Sequence, residues 1–219
     1  MTQNVCIRAD SIALAGTLGI PKGAAGIVVF AHGSGSSRLS PRNTYVARVL
    51  REAGIATLLF DLLTEREAAD RANVFDIQLL AERLRVATVW IRNSETTRGL
   101  RVGYFGASTG AAAALIAAAA DPTIAAIVSR GGRPDLAGTT LSNVQAPTLL
   151  IVGGDDTLVI DLNQEAYAQL RCEKQLTIVP GATHLFEEPG TLEEVTRLAT
   201  DWFSRHMIRA TAGRSVVQS

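Results

Sequence analysis

Cysteine is nearly missing from this chain. Cys6 and Cys172 are the only two in 219 residues, and they fall in different predicted elements. Two cysteines are too few for a disulfide framework. Both read as reduced packing residues of a cytoplasmic protein, with a single disulfide between them as the alternative. A surplus of either charge is missing too. Lys+Arg and Asp+Glu number 21 each and the formal net charge is zero, so there is no basic face to suggest nucleic acid. The longest small-apolar stretch, Ala111–Ala120, is too short to cross a bilayer, and no membrane partner is expected. Near the N-terminus, Arg8 and Asp10 stand where a signal peptide needs an apolar core, so a secretory leader is not expected. Metal-ligand spacing is absent: there is no H-E-x-x-H and no paired Cys/His pattern. Gly33-Ser34-Gly35 lacks the following G-K-S/T that a phosphate loop requires. The chain is therefore expected to use no metal and no cofactor. Internal repeats and linkers are lacking as well.

What is present is apolar material in regular blocks. Hydrophobic residues make up 47% of the chain, enough for one large core. Residues 1–206 read as one domain and 207–219 as a flexible tail. Val5–Ala9 and Ile12–Leu18 predict an antiparallel hairpin turning at Asp10-Ser11. Ile27–Ala31, Ile55–Phe60, Val102–Phe105, Ile124–Ser129, Pro147–Val152 and Leu176–Val179 are short apolar runs, the pattern of strands covered on both faces. Helical periods lie between them. Tyr45–Ala53 is closed by Gly54, and Val74–Ile91 puts Ile77, Leu80, Leu84, Ala87 and Ile91 on one face. A small-residue helix starts at Thr109, another helix spans Asp161–Leu170, and a last one opens at Thr191 with Leu192, Val195, Leu198 and Trp202 inward. Asp161 with Gln164, and Thr191 with Glu194, have capping-box spacing. Leu62–Arg71 is charged and shows no period. The alternation predicts an α/β fold: a mostly parallel doubly wound sheet with an N-terminal antiparallel hairpin and helices on both faces. In such sheets, chemistry collects beyond the carboxyl ends of the strands.

Three strand ends carry reactive residues. After Val102–Phe105 comes Gly106-Ala107-Ser108-Thr109-Gly110, a G-x-S-x-G between strand and helix. This is the sharp turn that projects a nucleophilic serine from the sheet edge, its back to a helix N-terminus that favours an anion. After Pro147–Val152 come Asp155 and Asp156; after Leu176–Val179 comes His184. A serine needs a base, and the base needs an orienting acid. The chain order Ser, Asp, His suits that arrangement. For the oxyanion, the N–H of Thr109 follows the nucleophile, and Ser34 N–H offers a second donor from the loop after Ile27–Ala31. His32 reads as a brace of that loop. Asp135 stands after another strand and is a further rival for the acid.

Four motifs together resemble the α/β-hydrolase superfamily on its dienelactone hydrolase-like branch: H-G-S-G at His32–Gly35, G-A-S-T-G at Gly106–Gly110, G-G-D-D-T-L-V at Gly153–Val159 and P-G-A-T-H at Pro180–His184. The likeness runs through nearly the whole chain. It implies the α/β-hydrolase fold, and it implies that the acid is the aspartate three residues after the first glycine of G-x-x-D, which is Asp156. Dienelactone hydrolases proper use a cysteine nucleophile. The serine at 108 points instead to ordinary esters, thioesters or amides.

The expected function is a serine hydrolase cleaving a small carboxylic ester or related acyl compound, with Ser108 as nucleophile, His184 as general base and acid, and Asp156 orienting the histidine. Acyl transfer, or a catalytically silent binding module on the same scaffold, are the alternatives. A pure binder has no reason to keep all three side chains. Arg130 and Arg133 follow a strand on the same edge; they either hold an anionic part of the substrate or make structural ion pairs. Arg130–Ala146 is too short for a helical cap, so an open site without a large lid is expected. Leu62–Asn73 is the segment left to fold over one side.

Overall fold

The apolar runs become the strands of a single sheet. The computed structural model describes residues 2–208. In it, β1 (Thr2–Ala9) and β2 (Ile12–Gly19) form the hairpin, in register from Thr2 opposite Gly19 to Ala9 opposite Ile12. Six strands follow: β3 (Gly26–Ala31), β4 (Ala56–Phe60), β5 (Arg101–Ala107), β6 (Ala126–Arg130), β7 (Thr148–Gly153) and β8 (Lys174–Val179). Their spatial order is β1-β2-β4-β3-β5-β6-β7-β8. β2 meets β4 antiparallel, and every pair beyond β4 is parallel. The interior strands β3, β4, β6 and β7 are buried along their whole length, which is why their sequences are unbroken apolar runs. The order of winding reverses between β3 and β5, so the ends of these two strands open a crevice of the kind that binds ligands in this architecture.

Helices cover both faces. α1 (Pro41–Glu52) and α7 (Thr191–Met207) pack on one side; α4 (Ile77–Asn93), α5 (Thr109–Ala119), α6 (Thr157–Gln169) and a 3-10 segment, Pro134–Asn143, pack on the other. Two short helices, α2 (Glu65–Ala68) and α3 (Arg71–Val74), complete the set. Ala-rich α5 lies deep in the larger core, where small side chains permit close approach to the sheet.

Several boundaries differ from the sequence reading. α1 begins at Pro41 rather than near Tyr45, because proline suits a first helical position and Ser40 Oγ accepts the Asn43 N–H. The unperiodic Leu62–Arg71 stretch holds α2, opened by a Thr64/Glu67 capping box; Asp70 then opens α3. Four residues are too few to display a period. α4 starts at Ile77 behind an Asp76 cap. α6 starts at Thr157, so Asp161 lies inside the helix and forms no capping box. Thr191 is not a cap either. Gly190, at φ 84°, precedes the helix; Thr191 Oγ1 donates to Glu188 O at 2.7 Å, and Glu194 turns to Arg197. The final helix runs through Met207, which is fully buried, so the domain extends past 206; residues 209–219 of the expected tail lie outside the described residues. Cys6 and Cys172 are both free, and Cys6 is exposed on β1, not a packing residue.

Candidate active site

Ser108 sits between β5 and α5 at φ 50°, ψ −124°, a positive-φ conformation that costs a non-glycine residue energy. The flanking glycines are dictated by neighbours. A Cβ on Gly106 would lie 2.4 Å from the Ala111 Cα, and one on Gly110 would lie 2.2 Å from the Ala31 carbonyl oxygen. The second clash comes from the end of β3, across the crevice, and not from the serine turn itself.

The acid and base loops are laced together. Gly154 N–H donates to Val179 O at 2.8 Å, and Asp155 N–H to Ala182 O at 3.0 Å. This lacing places Asp156 Oδ2 2.6 Å from His184 Nδ1. The Asp156 side chain is 15% exposed and the imidazole 39%. Asp156 occupies the N-cap of α6, yet its carboxylate caps no amide; it is committed to the imidazole. Asp135 is taken by Arg133, which holds it through two bonds of 2.9 and 2.8 Å. Glu188, which the sequence reading missed, clamps the histidine loop by accepting from both Thr183 N–H and Thr183 Oγ1. Those bonds hold its carboxyl below the usual range.

Ser108 and His184 line one pocket of about 230 Å³, together with Ser34, Arg42, Asn43 and Arg130. Among the described hydrogen bonds, none joins Ser108 Oγ to the imidazole; such contacts commonly tighten only when substrate is bound. Thr109 N–H belongs to the first turn of α5, where amides have no intrahelical acceptor. Ser34 N–H is already engaged, donating to Thr109 Oγ1 at 3.0 Å. His32 braces the same loop. Its Nδ1 lies 3.0 Å from Gly33 O and its Nε2 accepts the Leu62 N–H at 3.1 Å, so the ring is a neutral Nδ1–H tautomer. Burial lowers its pKa and keeps it neutral.

The two arginines part company. Arg133 is in its ion pair with Asp135, 36% exposed. Arg130 is 6% exposed and faces the Ser108 pocket. A larger cleft of about 820 Å³ opens beside the Gly33–Ser36 loop, lined also by Leu62–Arg66, Ala68 and Val74, which fold over that side. Among the described residues, no cluster of three or more His, Cys, Asp or Glu is arranged to hold a metal, and no helix is long and apolar enough to cross a membrane.

Comparison with known proteins gives the family and the fold. The model of the dienelactone hydrolase family matches residues 14–207. A crystal structure of dienelactone hydrolase from Anabaena variabilis is 56% identical, with a TM-score of 0.92 over 94% of this chain and 98% of that one. A Xanthomonas campestris protein described as an α/β serine hydrolase without lid superimposes with a TM-score of 0.76 at 21% identity, over 95% of this chain and 96% of that one; this is a likeness of fold. A Mycobacterium tuberculosis protein named a putative phosphoribosyl transferase is 62% identical over 207 residues, which is 94% of this chain but 46% of that protein. The chain thus spans less than half the length of that curated relative.

Proposed function

Since this chain belongs to the dienelactone hydrolase family, we propose that it is a serine hydrolase acting on a small carboxylic ester or related acyl compound. The observation that carries this reading is the 2.6 Å Asp156–His184 bond on the wall of the pocket that also holds the strained Ser108. Ser108 Oγ attacks the acyl carbonyl as His184 Nε2 takes its proton. Asp156, bonded to Nδ1, keeps the free ring nitrogen facing the serine and stabilises the imidazolium. The same imidazolium then protonates the leaving group, and water, deprotonated in turn by His184, releases the acid.

The oxyanion is met by the Thr109 N–H. Ser34 acts through Thr109: its N–H donates to Oγ1, which leaves the hydroxyl's own hydrogen for the oxyanion. The absence of a helical cap between β6 and β7, where only the 3-10 segment is found, favours small soluble substrates. The relative named a putative phosphoribosyl transferase is matched over 46% of its length, and the hydrolase reading rests on the family model.

Turnover of a p-nitrophenyl ester and labelling by a fluorophosphonate test the reading. Wild type is expected to do both and Ser108→Ala neither. Asp156→Asn is expected to keep the fold and lose about ten-thousandfold in kcat. Labelling that survives Ser108→Ala removes the serine from this role.

A further inference from the structure

Arg130 is the last residue of β6, held by the sheet between Ala107 and Ile151, and its carbonyl accepts the Ser108 N–H at 3.4 Å. The strand therefore fixes the root of the side chain, which lines the pocket. Nε and Nη1 are both buried and have no hydrogen-bond partner. Buried arginines are ordinarily paired. Here no carboxylate forms an ion pair with Arg130 among the described residues; only the Phe186 ring approaches, 5.9 Å from the guanidinium carbon. The charge that acts on it is of the same sign. Arg42, on the first turn of α1, lines the same pocket; its Nη1 holds Glu187 at 2.9 Å while its Nε is buried without a partner. Burial, and then Arg42, pull the Arg130 pKa down to about 10. The N-termini of α1 and α5, both longer than two turns, open onto this space and add partial positive charge.

We propose that the Ser108 pocket contains a phosphate-binding subsite, anchored by the unpaired Arg130 guanidinium and completed by Arg42, which receives a phosphate monoester group carried by the acyl substrate. This rests on the reading above only for where the reacting carbonyl sits. A carboxylate brings one negative charge on a planar pair of oxygens, the match for one guanidinium fork. Two arginines line the pocket, and the only ion pair to either among the described residues is Arg42 with the exposed Glu187, so the pocket keeps an excess of positive charge. A phosphate monoester brings three acceptor oxygens and a charge of about −1.5 to −2. The volume of about 230 Å³ suits a carbonyl and one tetrahedral anion rather than a long acyl chain. The donors are side-chain guanidiniums, so the absence of a phosphate-loop motif is no obstacle.

Two measurements on the full chain test this. In the first, inorganic phosphate is titrated calorimetrically into wild type, Ser108→Ala, Arg130→Met, Arg42→Gln and, as a control for surface charge, Arg48→Ala. Phosphate is expected to bind wild type, Ser108→Ala and Arg48→Ala alike, and to bind Arg130→Met at least about tenfold more weakly. Acetate is expected to bind wild type about tenfold more weakly than phosphate. If Arg130→Met does not fold, Arg42→Gln carries the test with a smaller loss in the same direction. No phosphate binding to wild type, equal binding to the folded arginine variants, or acetate binding as well as phosphate overturns the proposal. In the second, kcat/KM is compared for a neutral p-nitrophenyl ester and one bearing a phosphate monoester. The phosphorylated ester is expected to be favoured by wild type and to lose that advantage in Arg130→Met. If neither ester is turned over but phosphate still binds, the hydrolase reading fails and the subsite stands. Equal turnover of both esters by wild type sinks the subsite and leaves the hydrolase.

Discussion

Thr109 does two things with one residue. Its backbone amide opens α5, and its hydroxyl holds the Ser34 N–H at 3.0 Å. If that hydroxyl also donates to the oxyanion, Thr109→Val is expected to lower kcat about a hundredfold, with Thr109→Ser restoring most of it; unchanged kcat in Thr109→Val rules the hydroxyl out. His32 carries a different prediction. Its folded pKa lies below the ordinary histidine value of about 6.5, chiefly through burial. Above pH 6.5 both folded and unfolded chains hold the ring neutral and it contributes no pH dependence. Below 6.5 the unfolded chain binds a proton that the folded ring refuses, so stability falls with pH until the folded pKa is passed. Comparing wild type with His32→Gln by thermal melting between about pH 7.5 and 5.5 is expected to show a shallower fall in the variant. Ser108, the Asp155-Asp156 pair and His184 were legible as candidates because each lies a few residues past an apolar run, and the resemblance to the family singled out Asp156. The Thr109–Ser34 bond was not, since it joins residues 75 positions apart.

Elements were legible where a repeat was long enough to show. The hairpin and α4 needed only periodicity, and the interior strands only an unbroken apolar run. The start of α1 was missed because its first turn is polar, and that of α6 because it begins at the acid loop, where backbone bonds to the β8 turn set the boundary. Asp161 had the spacing of a cap and none of the position. Gly110 shows how one element constrains another: α5 passes so close to the end of β3 that a methyl group would meet the Ala31 carbonyl oxygen at 2.2 Å. Gly110→Ala is therefore expected to cost about 1–3 kcal/mol in denaturant unfolding, and to lower esterase activity as β3 and its oxyanion loop shift. A variant as stable as wild type contradicts that packing. Tyr104, at the centre of β5, is tied to α4. Its O–H donates to Thr88 Oγ1 at 2.6 Å, whose own hydrogen goes to Leu84 O, and burial pushes the phenol up to about 12. Tyr104→Phe is expected to cost about 1 kcal/mol in the same measurement.

Across the whole molecule, the end of α7, the last helix among the described residues, packs against the middle strands of the sheet. Met207 is fully buried, with its side chain filling the space that Gly26 on β3 and Gly103 on β5 leave open; a Cβ at those glycines would lie 2.7 and 2.8 Å from it. Met207→Ala is expected to destabilise the domain by about 2–5 kcal/mol, read as a lower denaturant midpoint. The placing of β3 between β4 and β5 matters most for the site, because it brings the His32–Gly35 loop beside Ser108. By itself the sequence determined the elements, their alternation and the order serine, aspartate, histidine along one sheet edge. Those are encoded by short-range patterns: apolar periods, small residues at a tight turn, polar groups just past a strand. Only the tertiary structure decided which neighbouring charge found a partner. Arg133 reaches Asp135 two residues away, while Arg130, three residues earlier, is turned by its strand into a pocket with another arginine. That difference depends on segments distant in the chain converging on one volume, and no local pattern carries it.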